Sequence, residues 1–457
     1  MSETRDNGRP PRSFTARNVV IAGGGFAGFH TARTLEGILR PAAARVTLVN
    51  DANSMLYTPF MGAVAGGRLE PRHIVFPLRE ELERTDLRLG RVESAAPERG
   101  CIQVRNQDGR VEDLSYGHLV VALGSVTRTL PVPGLAEHAV GFKTLAEAVA
   151  LRDRLLRTLE MAETLEDSEE RASYLTFVFV GAGYAGLGGL AELQDFAADV
   201  IGLYPRCRLQ GMRWLLVEAR SRVMGEVPPM LSEFAERELR ARGIETLAET
   251  RLEEVTAESV RLSTGETVPT RTVVWTAGVK PSPVVAHLGL PVDEAGRIRV
   301  DSYMRVEGHD NVWAVGDAAA VPDPARPGYP CPPTRQHGMR QGKRVAGNVA
   351  AALGCGEAAP FTYKTRGVFV DLGRSTAVAL FMGVKLRGFP AWMLTRGYNL
   401  KQMPSFGRKL KLVSDWVTDL AFRRDSSEMG QACHPLTDPG RLEAGGAART
   451  RFESPAP

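Results

Sequence analysis

Two glycine runs carry the chemistry that this chain announces first. Gly23, Gly25 and Gly28 follow the apolar run Val19-Val20-Ile21-Ala22, and Gly181, Gly183 and Gly186 follow Phe177-Val178-Phe179-Val180. In a Gly-x-Gly-x-x-Gly turn the first glycine bends the chain, the second lets backbone approach a pyrophosphate, and the third lets the next helix pack closely. Phe26, Ala27, Tyr184 and Ala185 fill the positions between, so their amides open the helix that faces the phosphates. A lone match of this kind is weak evidence. Two, each after an apolar strand-like run and before a helical pattern, predict two dinucleotides in one chain.

A ribose needs a hydrogen-bonding partner at the end of each second strand. Asn50 stands there in the first half and can bind hydroxyls; Glu218 stands there in the second. A carboxylate at that point accepts from an unphosphorylated ribose and repels a 2′-phosphate, which favours NADH. Arg220 and Arg222 follow closely and leave the opposite preference open, since guanidinium groups suit a phosphate. One further strand end stands out, Gly316-Asp317 after Trp313-Ala314-Val315. An Asp in the last position can meet a ribityl hydroxyl while its neighbours' amides meet phosphate.

These residues require a particular set of elements. A helix over 29–39 and a strand over 45–50 complete the first βαβ unit, and a loop-rich stretch follows over 51–78. A helix is expected over 78–84, strands over 88–93, 101–104 and 118–125, and a helix over 145–161, where apolar residues recur at helical spacing. The acidic stretch 163–170 reads as a link to the second unit. That unit continues with a helix from Leu187, a strand over 214–218, a helix over 229–242 and a strand over 272–275.

The chain has 457 residues, enough for two or three domains, and a formal net charge of +4, too small to argue for nucleic acid. Its five cysteines, Cys101, Cys207, Cys331, Cys355 and Cys433, are scattered without a Cys-x-x-Cys. That spacing argues for a reducing compartment and against a zinc site or a neighbouring redox dithiol, and no metal is expected. No apolar stretch approaches the length of a spanning helix.

With two nucleotide turns and Gly316-Asp317 downstream, the sequence resembles the flavoprotein disulfide reductase-like superfamily. The segment Pro332-Pro333-Thr334-Arg335-Gln336-His337-Gly338-Met339-Arg340-Gln341 narrows this, because it is similar to a stretch of the type II NADH:quinone oxidoreductases. The resemblance runs from Asn18 to Asp425 and includes Leu56-Tyr57-Thr58-Pro59, which resembles the family's loop passing the flavin. It implies an α/β fold with two Rossmann-like dinucleotide-binding domains, the NAD domain inserted in a discontinuous FAD domain. FAD is then expected at Gly23, Gly25, Phe26, Ala27, Gly28, Asn50, Thr58, Pro59, Ala122, Gly124, Gly316 and Asp317. NADH is expected at Gly181, Gly183, Tyr184, Ala185, Gly186, Glu218, Ala277 and Gly278. Gln336 and Gln341 are the implied catalytic residues beside flavin and quinone, and two-electron transfer to a membrane quinone without proton pumping is the implied activity.

The corresponding segments are a disordered N-terminus over 1–16, FAD-binding parts over 17–140 and 286–360, an NAD-binding domain over 141–285, a membrane-facing region over 361–425, and a disordered tail over 426–457. In that region Val413, Trp416, Val417, Leu420 and Ala421 fall on one face of an expected helix, flanked by basic and aromatic residues. Such a face suits an interfacial helix on anionic lipid. A peripheral place on the cytoplasmic face of the plasma membrane is then expected, with a homodimer partner as the other way to cover the face and a cytoplasmic location as the alternative. One departure stands out: where the family places a Glu two residues beyond the third glycine of the second turn, this chain has Gly188. The alternatives are a soluble NAD(P)H:acceptor reductase, a sulfide:quinone reductase using Cys331 and Cys355, or a low-turnover redox-sensing flavoprotein.

Overall fold

A computed structural model describes residues 17–430 except 42 and 366, and within these the chain forms two compact units. The first comprises the described parts of Met1–Leu56, Val75–Val126 and Val279–Arg366; the second comprises those of Tyr57–Ile74, Thr127–Gly278 and Gly367–Pro457. The helices around the glycine turns and in the C-terminal region are α1 (Phe26–Ile38), α2 (Met61–Ala65), α3 (Leu145–Thr164), α4 (Tyr184–Val200), α5 (Arg335–Ala352), α6 (Gly388–Gln402) and α7 (Phe406–Ala421).

In the first unit a seven-stranded sheet runs in the order Val312–Ala314, His118–Val121, Asn18–Ala22, Arg45–Asn50, Asp86–Ala96, Cys101–Asn106, Val111–Ser115. Pairing is parallel as far as Arg45–Asn50 with Asp86–Ala96, then antiparallel. Val19, Val20 and Ile21 are fully buried. Such continuous apolar runs mark parallel strands covered on both faces. The chain adds strands to one side of Asn18–Ala22 and then to the other, and ligands of open α/β folds bind outside the carboxyl ends of the strands at such a switch in order.

The second unit holds a five-stranded parallel sheet in the order Ala139–Gly141, Thr272–Trp275, Thr176–Val180, Arg213–Val217, Ile244–Leu247. Its central strand Thr176–Val180 is buried along its whole length, and Phe177 stacks on Trp214 with ring centroids 4.8 Å apart. Each such buried aromatic contributes roughly 1.5–3 kcal/mol. A three-stranded antiparallel sheet, Gly367–Asp371, Ala377–Phe381 and Val384–Arg387, precedes α6 and α7.

The compact units divide the chain differently from the expected segments. The first unit stops at Val126 instead of 140 and resumes at Val279 instead of 286, and Tyr57–Ile74 falls in the second unit with α4 and the C-terminal helices. The reason is packing: Tyr57 donates through its hydroxyl to the carbonyl of Asn399, and the Phe60 ring meets Trp416 edge-on at 6.0 Å. The acidic link is also ordered as a helix, Ser168–Leu175, which Asp167 caps by accepting from the Glu169 amide.

The expected disordered N-terminus lies outside the described residues, as does the tail beyond 430. Residues 426–430 are not loose. Arg152 on α3 donates to the carbonyls of Asp425 and Ser427, Arg157 pairs with Glu428 at 2.6 Å, and the Met429 amide donates to Asp153. A polar, charge-rich composition suggested disorder; complementary charges on α3 order this stretch instead.

Candidate functional site

In the first unit Gly23 has φ +103°, and a Cβ there would lie 2.4 Å from the Ala122 carbonyl oxygen. Only glycine takes both that backbone and that approach. At Gly28 a Cβ would fall 1.8 Å from the carbonyl oxygen of Gly23, so α1 packs onto its own turn. Gly25 caps α1 without any side-chain hydrogen bond. By contrast Thr144 and Glu147 form a complete capping box on α3, and Thr334 caps α5 by accepting from the His337 amide. No side chain of the N-cap residue therefore serves the start of α1, the end of a helix that favours negative charge.

Asn50 closes this turn: its Oδ1 accepts from the Gly24 amide at 2.7 Å and its Nδ2 donates to the Ala52 carbonyl at 2.8 Å. Gly124 has φ +67° and open space beside it. Asp317 accepts from the Ser125 hydroxyl at 2.6 Å, next to Gly316 at φ +73°. A glycine cradle, an uncapped helix end and a fixed carboxylate together fit a dinucleotide with a ribityl chain.

Helix α5 runs against α1, since a Cβ at Gly342 would lie 2.2 Å from the Ala27 carbonyl oxygen and Thr31 donates to the Gly342 carbonyl at 3.2 Å. This brings the Gln336 to Gln341 stretch to the first turn, but the two glutamines do different work. Gln341 is 2% exposed, and its Oε1 accepts from the Gly316 amide at 2.8 Å, which fixes the Gly316-Asp317 turn. Gln336 is half-buried; its Oε1 accepts from the Tyr363 hydroxyl at 2.7 Å, and the Arg340 guanidinium lies 4.1 Å from the Tyr363 ring centroid. Burial and nearby Lys343 and arginines lower the His30 pKa to about 3, and burial lowers that of His337 to about 4. Both imidazoles are neutral at physiological pH.

The second unit repeats the turn. Gly181 also has φ +103°, with a would-be Cβ 2.8 Å from the Ala277 backbone, and one at Gly186 would lie 2.3 Å from both the Gly181 carbonyl oxygen and the Thr276 hydroxyl. Gly183 caps α4 with no side-chain bond. Glu218 takes the place of Asn50: it accepts from the Ala182 amide at 2.7 Å and from the Arg220 amide at 2.9 Å. Arg222 is spent on the carbonyls of Val227 and Gly225, so it is not aimed at a phosphate. Tyr184 opens α4 with its phenol pKa raised by burial and by Glu226, and Gly278, at φ +98°, has open space. Thr58 and Pro59, expected at the flavin, form a short 3-10 turn in this second unit.

Residues 17–342 match the pyridine nucleotide-disulphide oxidoreductase family. The chain belongs to that family. Among relatives of this oxidoreductase, a demethylphylloquinone reductase of Synechocystis is 29% identical over 88% of this chain and 95% of its own length. A type II NADH:quinone oxidoreductase of Mycobacterium tuberculosis is 28% identical over 91% of this chain and 90% of its own. The fold matches that of NDH2 from Plasmodium falciparum in complex with NADH, with a TM-score of 0.82 and 17% identity over 90% of this chain and all of that one.

One cluster in this oxidoreductase was not expected from the sequence. Arg68 binds Glu192 at 2.8 Å, Asp419 at 2.7 Å and Asp195 at 3.3 Å, and Arg242 also holds Asp195. Glu192 and Asp195 sit on α4 among Leu190, Leu193 and Phe196, all buried. Carboxylates inside so apolar a helix were the available signal. Cys331, by contrast, is buried with its thiol pKa pushed up to about 12, and Cys101, Cys207, Cys331 and Cys355 are all free thiols.

Proposed function

We propose that this chain oxidises NADH and reduces a membrane quinone without pumping protons, holding FAD in the first unit and NADH in the second. The observation that carries this reading is the pair of uncapped glycine turns, each closed by a strand-end acceptor, in a chain whose relatives include quinone reductases. FAD, when bound, supplies the two-electron chemistry that links nicotinamide to quinone.

The chain's own residues do the binding and orienting. The glycine turn at the start of α1 would hold the flavin pyrophosphate, and Asp317, steadied by Ser125 and by the Gln341 grip on Gly316, would hold the ribityl chain. Glu218 accepts from the adenosine ribose of NADH and disfavours a 2′-phosphate. Gln336, oriented by Tyr363, presents a polar amide to the acceptor. The sulfide alternative loses ground because a buried thiol held protonated is a poor nucleophile.

Membrane contact is assigned to α7. Phe406, Leu410, Val413, Val417 and Leu420 follow i, i+4, i+7, i+11, i+14 and are exposed, Leu420 by 86% and Phe406 by 74%. Trp416, expected on the same face, instead turns inward onto Phe60 and lies 4.9 Å from the Arg396 guanidinium. Among the described residues no helix is long and apolar enough to cross a membrane, so the stripe would lie in the interface.

The test is anaerobic. NADH should bleach the visible absorbance of the purified protein, and a menaquinone or ubiquinone analogue should restore it; bleaching with no recovery on quinone would reject the reading. In a parallel arm, Leu420→Glu with Val417→Glu should lower sedimentation with vesicles containing anionic lipid by on the order of tenfold. Undiminished sedimentation would remove α7 from the membrane assignment.

A further inference from the structure

Helix α4 leaves the second nucleotide turn and runs past Gly188 to Glu192, one helical turn on. Helix α2 crosses it there on glycines: a Cβ at Gly62 would lie 2.9 Å from the Gly188 carbonyl oxygen, and one at Gly66 would lie 2.8 Å from that of Glu192. At Gly188 itself a Cβ would meet only the Asp371 carbonyl oxygen, at 3.8 Å. A gap therefore opens beside Gly188, with Asp371 at its wall.

Glu192 is 1% exposed. Its Oε2 accepts from Arg68, while its Oε1 is buried without a hydrogen-bond partner. A buried acceptor left so is costly unless a proton or a water serves it. Asp371 is the facing carboxyl group; its Oδ1 accepts from the Gly373 amide at 2.9 Å. Burial first, and the Glu192 charge second, raise the Asp371 pKa to about 7 against the opposing pull of Arg396 and Arg68. Two carboxyl groups set together, Glu192 buried and Asp371 half-buried, hold one proton between them more readily than two charges. The other charged groups around them are Asp195 on α4, Arg242 behind it, Arg374 in the loop after Asp371 and Asp419 on α7.

We propose that Glu192 and Asp371 store the one proton that quinone reduction needs beyond what NADH brings, an inference that rests on the quinone reading above. The overall reaction is NADH + H⁺ + quinone → NAD⁺ + quinol. The hydride carries two electrons and one proton of the quinol; the second proton leaves the carboxyl pair, which then regains one from water at the Gly188 gap. Arg68, fixed by three carboxylates, is a positioning residue that keeps Glu192 in place.

The full-length holoenzyme tests this in two ways. Infrared spectroscopy at pH 6 should show a protonated carboxyl band that titrates away near pH 7, that is absent from Asp371→Asn, and whose midpoint falls in Glu192→Gln because a raising charge is gone. In kinetics, the ratio of quinone reduction to reduction of ferricyanide, which takes electrons without protons, should fall as pH rises through about 7 in the natural protein. Asp371→Asn should depress that ratio on the order of a hundredfold with no such pH dependence. Glu192→Gln should move the decline to lower pH, and it carries the test alone if the Asp371 variant does not fold. Absence of the band at pH 6, or an unchanged ratio and pH profile in the variants, overturns the proposal while leaving quinone reduction standing. A natural protein that reduces ferricyanide but no quinone overturns the functional reading, and the role of the pair with it.

Discussion

The two glycine turns of this chain are alike in backbone and unlike in the helices they open. Both begin on a glycine at φ +103°, both start an uncapped helix, and both are closed by a strand-end side chain that accepts from the middle residue of the Gly-x-Gly. Beyond the third glycine, α1 buries a neutral histidine and packs on α5, whereas α4 runs into a buried set of arginines and carboxylates. Recognition of a pyrophosphate constrains the turn alone. The first turns of helix beyond it are free to diverge, and there the halves acquire different chemistry.

The sharpest way to break the likeness is to add one methyl group to each third glycine. A Cβ at Gly28 meets backbone at 1.8 Å, and one at Gly186 meets backbone and a threonine hydroxyl at 2.3 Å. Backbone cannot step aside as a rotamer can. Gly28→Ala should therefore cost about 3 kcal/mol or more and strip the protein of flavin, while Gly186→Ala should cost less, about 1–3 kcal/mol. Chemical denaturation with flavin quantification reads both. Equal costs, or full flavin in the Gly28→Ala variant, would mean that the two turns are not held as tightly as their close approaches require.

The strand-end acceptors differ by a charge, and that difference is open to a milder probe. Glu218→Gln keeps an oxygen for the Ala182 amide and removes the repulsion of a 2′-phosphate. The ratio of kcat/KM for NADH to that for NADPH should drop about tenfold, or ~1.4 kcal/mol. A larger swing is not expected, because Arg222 is already bound to backbone carbonyls. An unchanged ratio would show that the charge at this position does not choose the nucleotide.

Much of this was legible in the sequence for a physical reason. A parallel strand buried on both faces must be continuously apolar, and a turn that meets a pyrophosphate must be glycine at fixed spacing, so Val19 to Gly28 and Phe177 to Gly186 declare themselves. Asn50 and Glu218 stand out because they end the adjacent strands, and there the structure has them accept from the turn amides of Gly24 and Ala182. Contacts across long stretches of chain were not. Arg68 and Glu192 are separated by 124 residues, and although the apolar helix around Glu192 signals a buried carboxylate, nothing local names Arg68 as its partner. The resemblance puts Gln341 beside the acceptor, yet the structure turns its amide inward to Gly316, since helical periodicity does not show which neighbour a polar side chain will satisfy. The placement of Tyr57–Ile74 with the second unit follows from tertiary packing on Asn399 and Trp416 and had no local sign.

The smallest expected effect concerns acid. His30 and His337 both lie in the first unit, beside its nucleotide turn and on α5, with pKa values lowered to about 3 and about 4. An unfolded chain would protonate them near their ordinary value of 6.5. Between that value and the lowered ones the unfolded state binds more protons, so stability rises with pH and is lost as pH falls below about 6.5. By pH 5.5 each histidine should have cost about 1 kcal/mol relative to pH 7. Proteolysis or hydrogen exchange followed by peptide mapping should therefore find the first unit loosening before the second as the medium is acidified from neutrality to pH 5.5. Replacing His30 with Gln, which has no proton to gain in this range, should remove part of that slope and leave the part due to His337 and to His118, whose pKa burial also lowers; a slope that persists in full would assign the acid response elsewhere.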